Sequence, residues 1–170
     1  MAKRRLFNTI TEEELIKVVA AEPKQFKKVA YLLGFYECMR ISEITTLKPE
    51  HIVLERKLIY IKQGKGDKDR NIPISPKLPK GLRNHLPLKC GVRCLELSFK
   101  AACTIALGKD IGCKLRFHDL RHSGATHYLN KDKWDIRQLQ VFLGHSRIAT
   151  TEIYTHVSPE DLINKMWGIE

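Results

Sequence analysis

Hydrophobic positions along the chain follow a helical period, then a strand period, then a helical period again. Apolar residues recur at helical spacing up to Tyr36, form short strand-like runs between His51 and Ile74, and return to helical spacing after Pro76. This pattern predicts a mostly α-helical fold with one small three-stranded antiparallel β-sheet (α+β). The expected strands are 52–54, 58–61 and 71–74, and the expected helices are 11–20, 23–36, a short one starting at Ser42, 76–85, 94–107, 118–130, 135–143, 148–155 and 159–167.

Local signals mark the ends of several elements. Thr11 can cap the first helix, and three glutamates follow it where the positive end of the helix dipole favours acids. Pro23 suits the first position of the second helix. The glycine-rich, densely charged segment 63–70 is typical of a solvent-facing hairpin turn.

The chain carries no repeat, low-complexity tract or linker that would divide its 170 residues. We therefore expect a single domain over 1–170, with 1–10 disordered or the start of a linker and 158–170 forming a C-terminal tail helix. In that helix Leu162, Ile163, Met166 and Trp167 form an apolar stripe. The stripe could cover this molecule's own core or dock into a neighbouring subunit, and the sequence leaves both alternatives open.

Composition excludes several classes of protein. A hydrophobic fraction of 43% is typical of a globular domain with a core. No segment approaches the roughly 18 consecutive apolar residues that a membrane span needs, and residues 1–7 lack the apolar core of a secretory signal. We expect a cytoplasmic protein without a membrane partner. Five cysteines without a Cys-x-x-Cys pair predict neither a disulfide framework nor a zinc ribbon, so we expect reduced thiols in the core.

The charge balance indicates a polyanionic partner. Thirty Lys and Arg against 19 Asp and Glu leave a formal net charge of +11 and a pI near 9.5. Such an excess is typical of proteins that neutralise nucleic-acid phosphates and release their counterions. Charge alone does not indicate an enzyme, because ribosomal contact or an anionic membrane surface would favour the same balance.

Three short strings carry candidate chemistry: Met39-Arg-Ile-Ser-Glu43, His118-Asp-Leu-Arg-His122, and Leu143-Gly-His145 with Tyr154 nine residues beyond. Taken singly, each has an ordinary structural interpretation. Arg40 and Glu43 could be a surface ion pair worth about 0.2 to 0.5 kcal/mol. The histidine pair at 118 and 122 lacks the His-Glu-x-x-His pattern and a third metal ligand, so no metal site is expected. Gly64-Lys65-Gly66 does not complete a phosphate-loop pattern, and Tyr154 could be a half-buried helix tyrosine.

Taken together, in this order and spacing, the strings resemble those of the tyrosine recombinase (phage integrase) family. The resemblance covers about residues 11 to 157 and implies the fold of that family's catalytic domain. It also implies duplex DNA as partner and a tetramer around two synapsed sites. We expect the free protein to be a monomer. The family's amino-terminal DNA-clamping domain is expected to be absent, and Cys38 stands where the family often has glycine. The implied catalytic residues are Arg40, Lys65, His118, Arg121, His145 and Tyr154, with Glu43 supporting them.

Elementary chemistry agrees with these assignments. Attack on an anionic phosphodiester builds charge on its oxygens, and the planar, permanently charged side chains of Arg40 and Arg121, aided by His145, can stabilise that charge. The phenol of Tyr154, with an ordinary pKa near 10, needs help to lose its proton, and His118 is the candidate base. Lys65, with Lys68 as a competitor for the role, could protonate the departing 5′ oxygen.

Attack by Tyr154 would leave a 3′-phosphotyrosyl link, and one phosphoester would replace another. The step therefore needs no ATP, metal or other cofactor, and no small-molecule substrate is expected. The predicted function is site-specific cleavage and rejoining of duplex DNA. A type IB topoisomerase would share this chemistry, and a non-catalytic DNA-binding module would lack a need for a phenol beside arginines and histidines.

Overall fold

The computed structural model describes residues 8–62, 69–132, 134–144 and 159–169. Helices dominate this part of the chain, and a small sheet follows the third helix, so the predicted fold class is confirmed. The helices are α1 (Glu12–Ala21), α2 (Gln25–Tyr36), α3 (Ile41–Thr46), α4 (Val92–Leu107), α5 (Lys109–Gly112), α6 (Phe117–Asn130), α7 (Ile136–Leu143) and α8 (Pro159–Trp167), and the strands are β1 (Ile52–Val53), β2 (Leu58–Ile61) and β3 (Arg70–Pro73). Short 3₁₀ turns lie at Pro49–His51, Leu54–Arg56 and Leu82–His85.

The starts of α1 and α2 show which local sequence signals predicted a helix start correctly. The Thr11 hydroxyl accepts a hydrogen bond from the Glu14 backbone N–H at 3.2 Å, and the Glu14 carboxylate accepts one from the Thr11 N–H at 2.8 Å. This reciprocal cap confirms the predicted start of α1. Pro23 does not open α2, since Lys24 is the N-cap and the helix begins at Gln25.

The predicted helix over 76–85 is wrong, because only Leu82–His85 coil there, and as a 3₁₀ turn. Pro76 and Pro79 lack the backbone N–H that a continuing helix needs, and the residues between them turn instead. The Leu78 N–H donates to the Ser75 carbonyl at 3.1 Å, and the Leu82 N–H donates to the Pro79 carbonyl at 3.0 Å. The predicted helix 148–155 and most of the turn 63–70 lie outside the described residues.

The sheet is a meander in the order β1-β2-β3, antiparallel throughout. Ile59 in the central strand pairs with Ile52 on one side and with Ile72 on the other. All three side chains are buried and join the core formed by the helices. One face of the sheet is thus closed by helices, as the apolar runs in 52–74 predict.

Helices α2 and α6 pack closely at the centre of the domain. A Cβ at Gly124 would lie 1.9 Å from the Phe35 carbonyl oxygen, so only glycine permits this approach. Beyond the contact, the Tyr128 hydroxyl on α6 donates to the Tyr36 carbonyl at the end of α2, at 2.6 Å. This packing fixes the end of α2 against α6.

The tail helix α8 lies on its own chain's sheet. Leu162 is 1% exposed, and the Trp167 indole N–H donates to the Ile74 carbonyl just after β3, at 2.9 Å. The Lys57 ammonium lies 3.9 Å from the centre of the Trp167 ring. Of the two alternatives left open by the sequence, this chain shows the tail covering its own core.

The cysteines are not all in the core. Cys38 and Cys103 are buried, Cys90 is half-buried, and Cys94 and Cys113 are exposed. Helix α4 buries the face that carries Leu95, Phe99 and Cys103, and Cys94 projects away from that face. No helix in the described ranges is long and apolar enough to cross a membrane.

Candidate active site

Arg40 lies in the turn between α2 and α3. The turn passes through Cys38, whose φ of 48° is in the left-handed region. Glycine adopts this region freely, whereas it costs other residues roughly 1 to 2 kcal/mol. Although Cys38 stands where the family often has glycine, the backbone still makes the turn. Arg40 then caps α3, which begins at Ile41, so Ser42 lies inside the helix and is not its cap.

Glu43 gathers the groups around Arg40. Its carboxylate accepts the Arg40 backbone N–H at 2.7 Å and the Arg40 guanidinium at 3.1 Å. It also accepts hydrogen bonds from both terminal nitrogens of Arg70, at 2.7 and 3.1 Å. Burial raises the pKa of this carboxyl, but the bonds and charge of Arg70 together with the Arg40 N–H outweigh burial and hold the pKa below its ordinary value. Glu43 is therefore an anion at neutral pH, in contact with two arginines.

Arg121 lies on α6 and is 5% exposed. One terminal nitrogen of its guanidinium donates to the Cys38 carbonyl at 2.6 Å, and the other donates to the Leu143 carbonyl at 2.8 Å. A guanidinium has five N–H groups, so these bonds do not exhaust its capacity as a donor. Burial and the nearby charge of Arg40 lower the pKa of Arg121 to about 10, which leaves it cationic at neutral pH.

His118 lies in the first turn of α6, with its ring 4.7 Å from that of His122 and nearly perpendicular to it. Desolvation lowers the pKa of His118 below 6.5, and the positive charges of Arg121 and Arg40 act in the same direction. At neutral pH the ring is therefore mostly uncharged and can accept a proton. Among the described residues, no group of three His, Cys, Asp or Glu side chains lies together as a metal site would require.

The structure thus brings together four residues singled out from the sequence, namely Arg40, Glu43, His118 and Arg121. Lys65, His145 and Tyr154 lie outside the described residues. Some of their neighbours in sequence are described: Lys62 and Asp69 stand on either side of the segment that contains Lys65, and Gly144 precedes His145.

Arg70 belongs to the same cluster, and the sequence analysis did not single it out. It is the first residue of β3 and points to the same face as the fully buried Ile72, because side chains two apart share a face. Its side chain is only 10% exposed. A charged residue at an inward-facing strand position is the signal that could have identified Arg70.

A cavity of about 520 Å³ opens beside Arg40, between α3 and the sheet. Its wall combines apolar side chains with three Lys and Arg side chains, several hydroxyl groups and one carboxylate. The lining residues are Arg40, Ser42, Glu43, Thr46, Leu47, Lys48, His51, Tyr60, Ile61 and Lys62. The Lys and Arg side chains outnumber the single carboxylate, so the wall favours an anionic ligand that carries hydrogen-bond acceptors.

Comparison with known proteins decides the family. The family model described as "Phage integrase family" matches residues 8–90 and 91–161, which is most of the chain. This chain belongs to the phage integrase family. It is 34% identical to tyrosine recombinase XerA of Pyrococcus horikoshii, over 94% of this chain and 60% of that protein. It is 33% identical to tyrosine recombinase XerC of Pseudomonas fluorescens, over 94% and 59% respectively.

Solved structures of the family have the same fold. The integrase of mycobacterium phage Brujita matches with a TM-score of 0.79 and 19% identity, over all of this chain and 60% of that one. A crystal structure of XerA recombinase matches with a TM-score of 0.68 and 24% identity, over 94% and 64%. The chain spans about 60% of the length of the curated relatives it matches.

Proposed function

We propose that this chain is the catalytic domain of a site-specific recombinase or integrase that cleaves and rejoins duplex DNA. The Tyr154 oxygen attacks a backbone phosphorus, the bond to the 5′ oxygen breaks, and a 3′-phosphotyrosyl link forms. The reverse attack by a 5′ hydroxyl restores the DNA and the phenol. The observation that carries this proposal is the convergence of Arg40, Arg121 and a neutral His118, from distant parts of the chain, in a member of the phage integrase family.

Each described residue has a role that its surroundings support. Arg40 is about one-third exposed beside the cavity, so it can meet a phosphate entering from solvent. Arg121 is buried and doubly anchored, which gives its charge a fixed position at little cost in reorganisation. His118, with its lowered pKa, accepts the proton of Tyr154. His145 adds a donor to the phosphate, and Lys65 protonates the departing 5′ oxygen.

Duplex DNA is the proposed partner. The net charge of +11 favours phosphate binding, and the fold is similar to that of a lambda integrase dimer bound to a COC′ core site. The fold is also similar to that of a lambda integrase tetramer bound to a Holliday junction. We propose a monomer in free solution and a tetramer on two synapsed sites. No cofactor enters the proposed chemistry, because the phosphotyrosyl link conserves the energy of the broken phosphoester.

The test is a covalent adduct. The chain is incubated, with a metal chelator present, with a pool of end-labelled duplexes of randomised sequence, each carrying a nick that lets the 5′ product diffuse away. Denaturing electrophoresis should show labelled protein for the wild type and none for Tyr154→Phe. Tyr36→Phe is a matched control, since it removes a phenol that donates to Glu12 instead, and it should retain the adduct.

Three outcomes would contradict the proposal. An adduct that survives Tyr154→Phe would place the nucleophile elsewhere, and bound DNA without any wild-type adduct would indicate a binding module. Duplexes recovered from the adduct can then be cloned as two copies in one plasmid. Exchange between the copies is expected, whereas relaxation of supercoils without exchange would indicate a topoisomerase.

A further inference from the structure

Arg70 is a buried cation that contacts Glu43 in the two-pronged geometry typical of arginine and carboxylate pairs. Glu43 is 7% exposed and also bonds Arg40 through both the backbone and the guanidinium of that residue. The three side chains therefore share one negative and two positive charges. If Arg70 were absent, the carboxylate and Arg40 would cancel each other.

Exposure separates the two arginines. The Arg70 side chain is 10% exposed and its shortest bond to the carboxylate is 2.7 Å, whereas Arg40 is 35% exposed and its guanidinium bond is 3.1 Å. Glu43 therefore makes its closer ion pair with the buried Arg70 and its more distant one with Arg40. Both Arg40 and Glu43 line the cavity. Because Arg70 neutralises the Glu43 carboxylate from the buried side, the excess positive charge lies on the more exposed Arg40.

Arg70 also touches the segment that precedes His145. Gly144 ends α7 with a φ of 68°, and a Cβ on it would lie 2.5 Å from Cδ and 2.8 Å from Nε of Arg70. The glycine backbone therefore rests on the Arg70 side chain. Arg70 is also the first residue of β3 and follows the sequence segment that contains Lys65. One side chain therefore contacts Glu43 and Gly144 and lies close in sequence to Lys65.

We infer that Arg70 is a positioning residue whose charge neutralises Glu43, so that the cluster keeps a net positive charge where Arg40 meets the phosphate under attack. The inference rests on the proposed function, because the group that this positive charge would stabilise is the scissile phosphate. It differs from a purely structural ion pair in one respect. A structural pair matters through its bonds, whereas the inferred role depends on the net charge of the three side chains.

The experiment measures the single-turnover rate of adduct formation at saturating DNA, on a duplex recovered from the randomised pool. Arg70→Met should lower the rate roughly 10- to 100-fold. This range is taken by analogy from metalloenzymes, where loss of a residue that orients a metal ligand has an effect of this size. The double variant Arg70→Met with Glu43→Gln removes the carboxylate charge as well and should recover most of that loss. The amide oxygen that Glu43→Gln introduces can still accept the Arg40 backbone N–H, so the cap of α3 is kept.

Two controls separate charge from folding and from general DNA affinity. Arg70→Lys keeps the charge but not the two-pronged fork, so it should fold and retain most of the wild-type rate even if Arg70→Met unfolds. Arg93→Met removes one exposed positive charge from the start of α4. It should weaken DNA binding slightly without slowing the step at saturation. Circular dichroism and thermal melting check that each variant is folded.

The inference is overturned if folded Arg70→Met cleaves at the wild-type rate, if the double variant is slower than Arg70→Met alone, or if Arg70→Lys loses the rate as completely as a methionine does. In each of these cases the wild-type adduct still stands and the proposed function survives. Absence of any wild-type adduct, in contrast, removes the proposed function and this inference together.

Discussion

Glu37 is the last residue before the Cys38 turn and is fully buried. One carboxyl oxygen accepts the Ser75 backbone N–H at 2.7 Å, and the other has no hydrogen-bond partner among the described residues. Desolvation raises the pKa of Glu37 from 4.5 to about 8, against the opposing effect of the Ser75 N–H. At neutral pH the side chain is therefore mainly an uncharged acid, and we expect it to make stability depend on pH.

The sign follows from proton counts. Between the unfolded pKa of 4.5 and the folded pKa of about 8, the folded protein holds one more proton than the unfolded chain. Stability is therefore highest below pH 4.5 with respect to this group and falls as pH rises to about 8, by about 1.4 kcal/mol per pH unit. Over the whole window the loss approaches roughly 4 to 5 kcal/mol, a large part of the roughly 5 to 15 kcal/mol of a typical domain.

Among the described residues, Glu37 is the group expected to lower stability between pH 6.5 and 8. His118 and His122 have lowered pKa values, so they act in the opposite direction, and their effect ends within about one pH unit above the unfolded value of 6.5. The raised pKa values of the Cys38 and Cys103 thiols begin to act only near their ordinary value of 9. Within the window, the wild type should lose about 2 kcal/mol through Glu37 alone.

The perturbation is Glu37→Gln, which keeps an oxygen for the Ser75 N–H and cannot ionise. Urea unfolding at several pH values between 6.5 and 8 should give a free energy of unfolding that falls for the wild type and does not fall for the variant. The variant should therefore be the more stable protein at pH 8, with an unchanged denaturant slope. Parallel pH profiles for the two proteins would refute the reasoning, because the titrating group would then lie elsewhere.

Two further predictions concern packing, each measured as the free energy of unfolding in urea. Gly124→Ala should lower the free energy of unfolding by about 3 kcal/mol or more, because its Cβ would overlap the Phe35 carbonyl oxygen. The control Gly81→Ala, whose Cβ would have its nearest atom at 3.6 Å, should change it by no more than about 0.5 kcal/mol. Equal effects would mean that α2 and α6 are not in contact. Leu162→Ala should lower the free energy of unfolding by about 2 to 3 kcal/mol. The control Ile169→Ala, at a position that is 48% exposed, should lower it much less. Two small effects would show that α8 does not cover its own sheet.

The sequence was sufficient where periodicity and local chemistry agreed. The bounds of α6, α7 and α8 were predicted to within one residue, because their apolar spacing is regular and their ends carry clear signals. It failed over 76–85, where apolar spacing suggested a helix and two prolines prevented one. The hydrophobic pattern indicates which side chains are buried, but backbone hydrogen bonding decides whether the segment forms a helix.

The supporting residues of the site were harder to predict than the chemical ones. Arg40, His118 and Arg121 stand in strings whose spacing indicates their chemistry, so they could be named without coordinates. Arg70 and Glu37 stand in no such string, and their importance comes from what they contact. A buried glutamate that faces a backbone N–H across the fold is visible only once Ser75 has been brought to it.

Arg121 shows why the two kinds of prediction differ. Its string predicts a phosphate-binding guanidinium, yet in the folded chain two of its donors hold the Cys38 and Leu143 carbonyls. Those carbonyls belong to the turn before Arg40 and to the end of α7 before His145, so the guanidinium fixes the backbone beside two other proposed catalytic groups. A lysine could supply the charge but has no planar fork with which to hold two carbonyls at set angles. The choice of arginine at this position thus answers a structural requirement as well as a chemical one, and only the fold reveals the structural part.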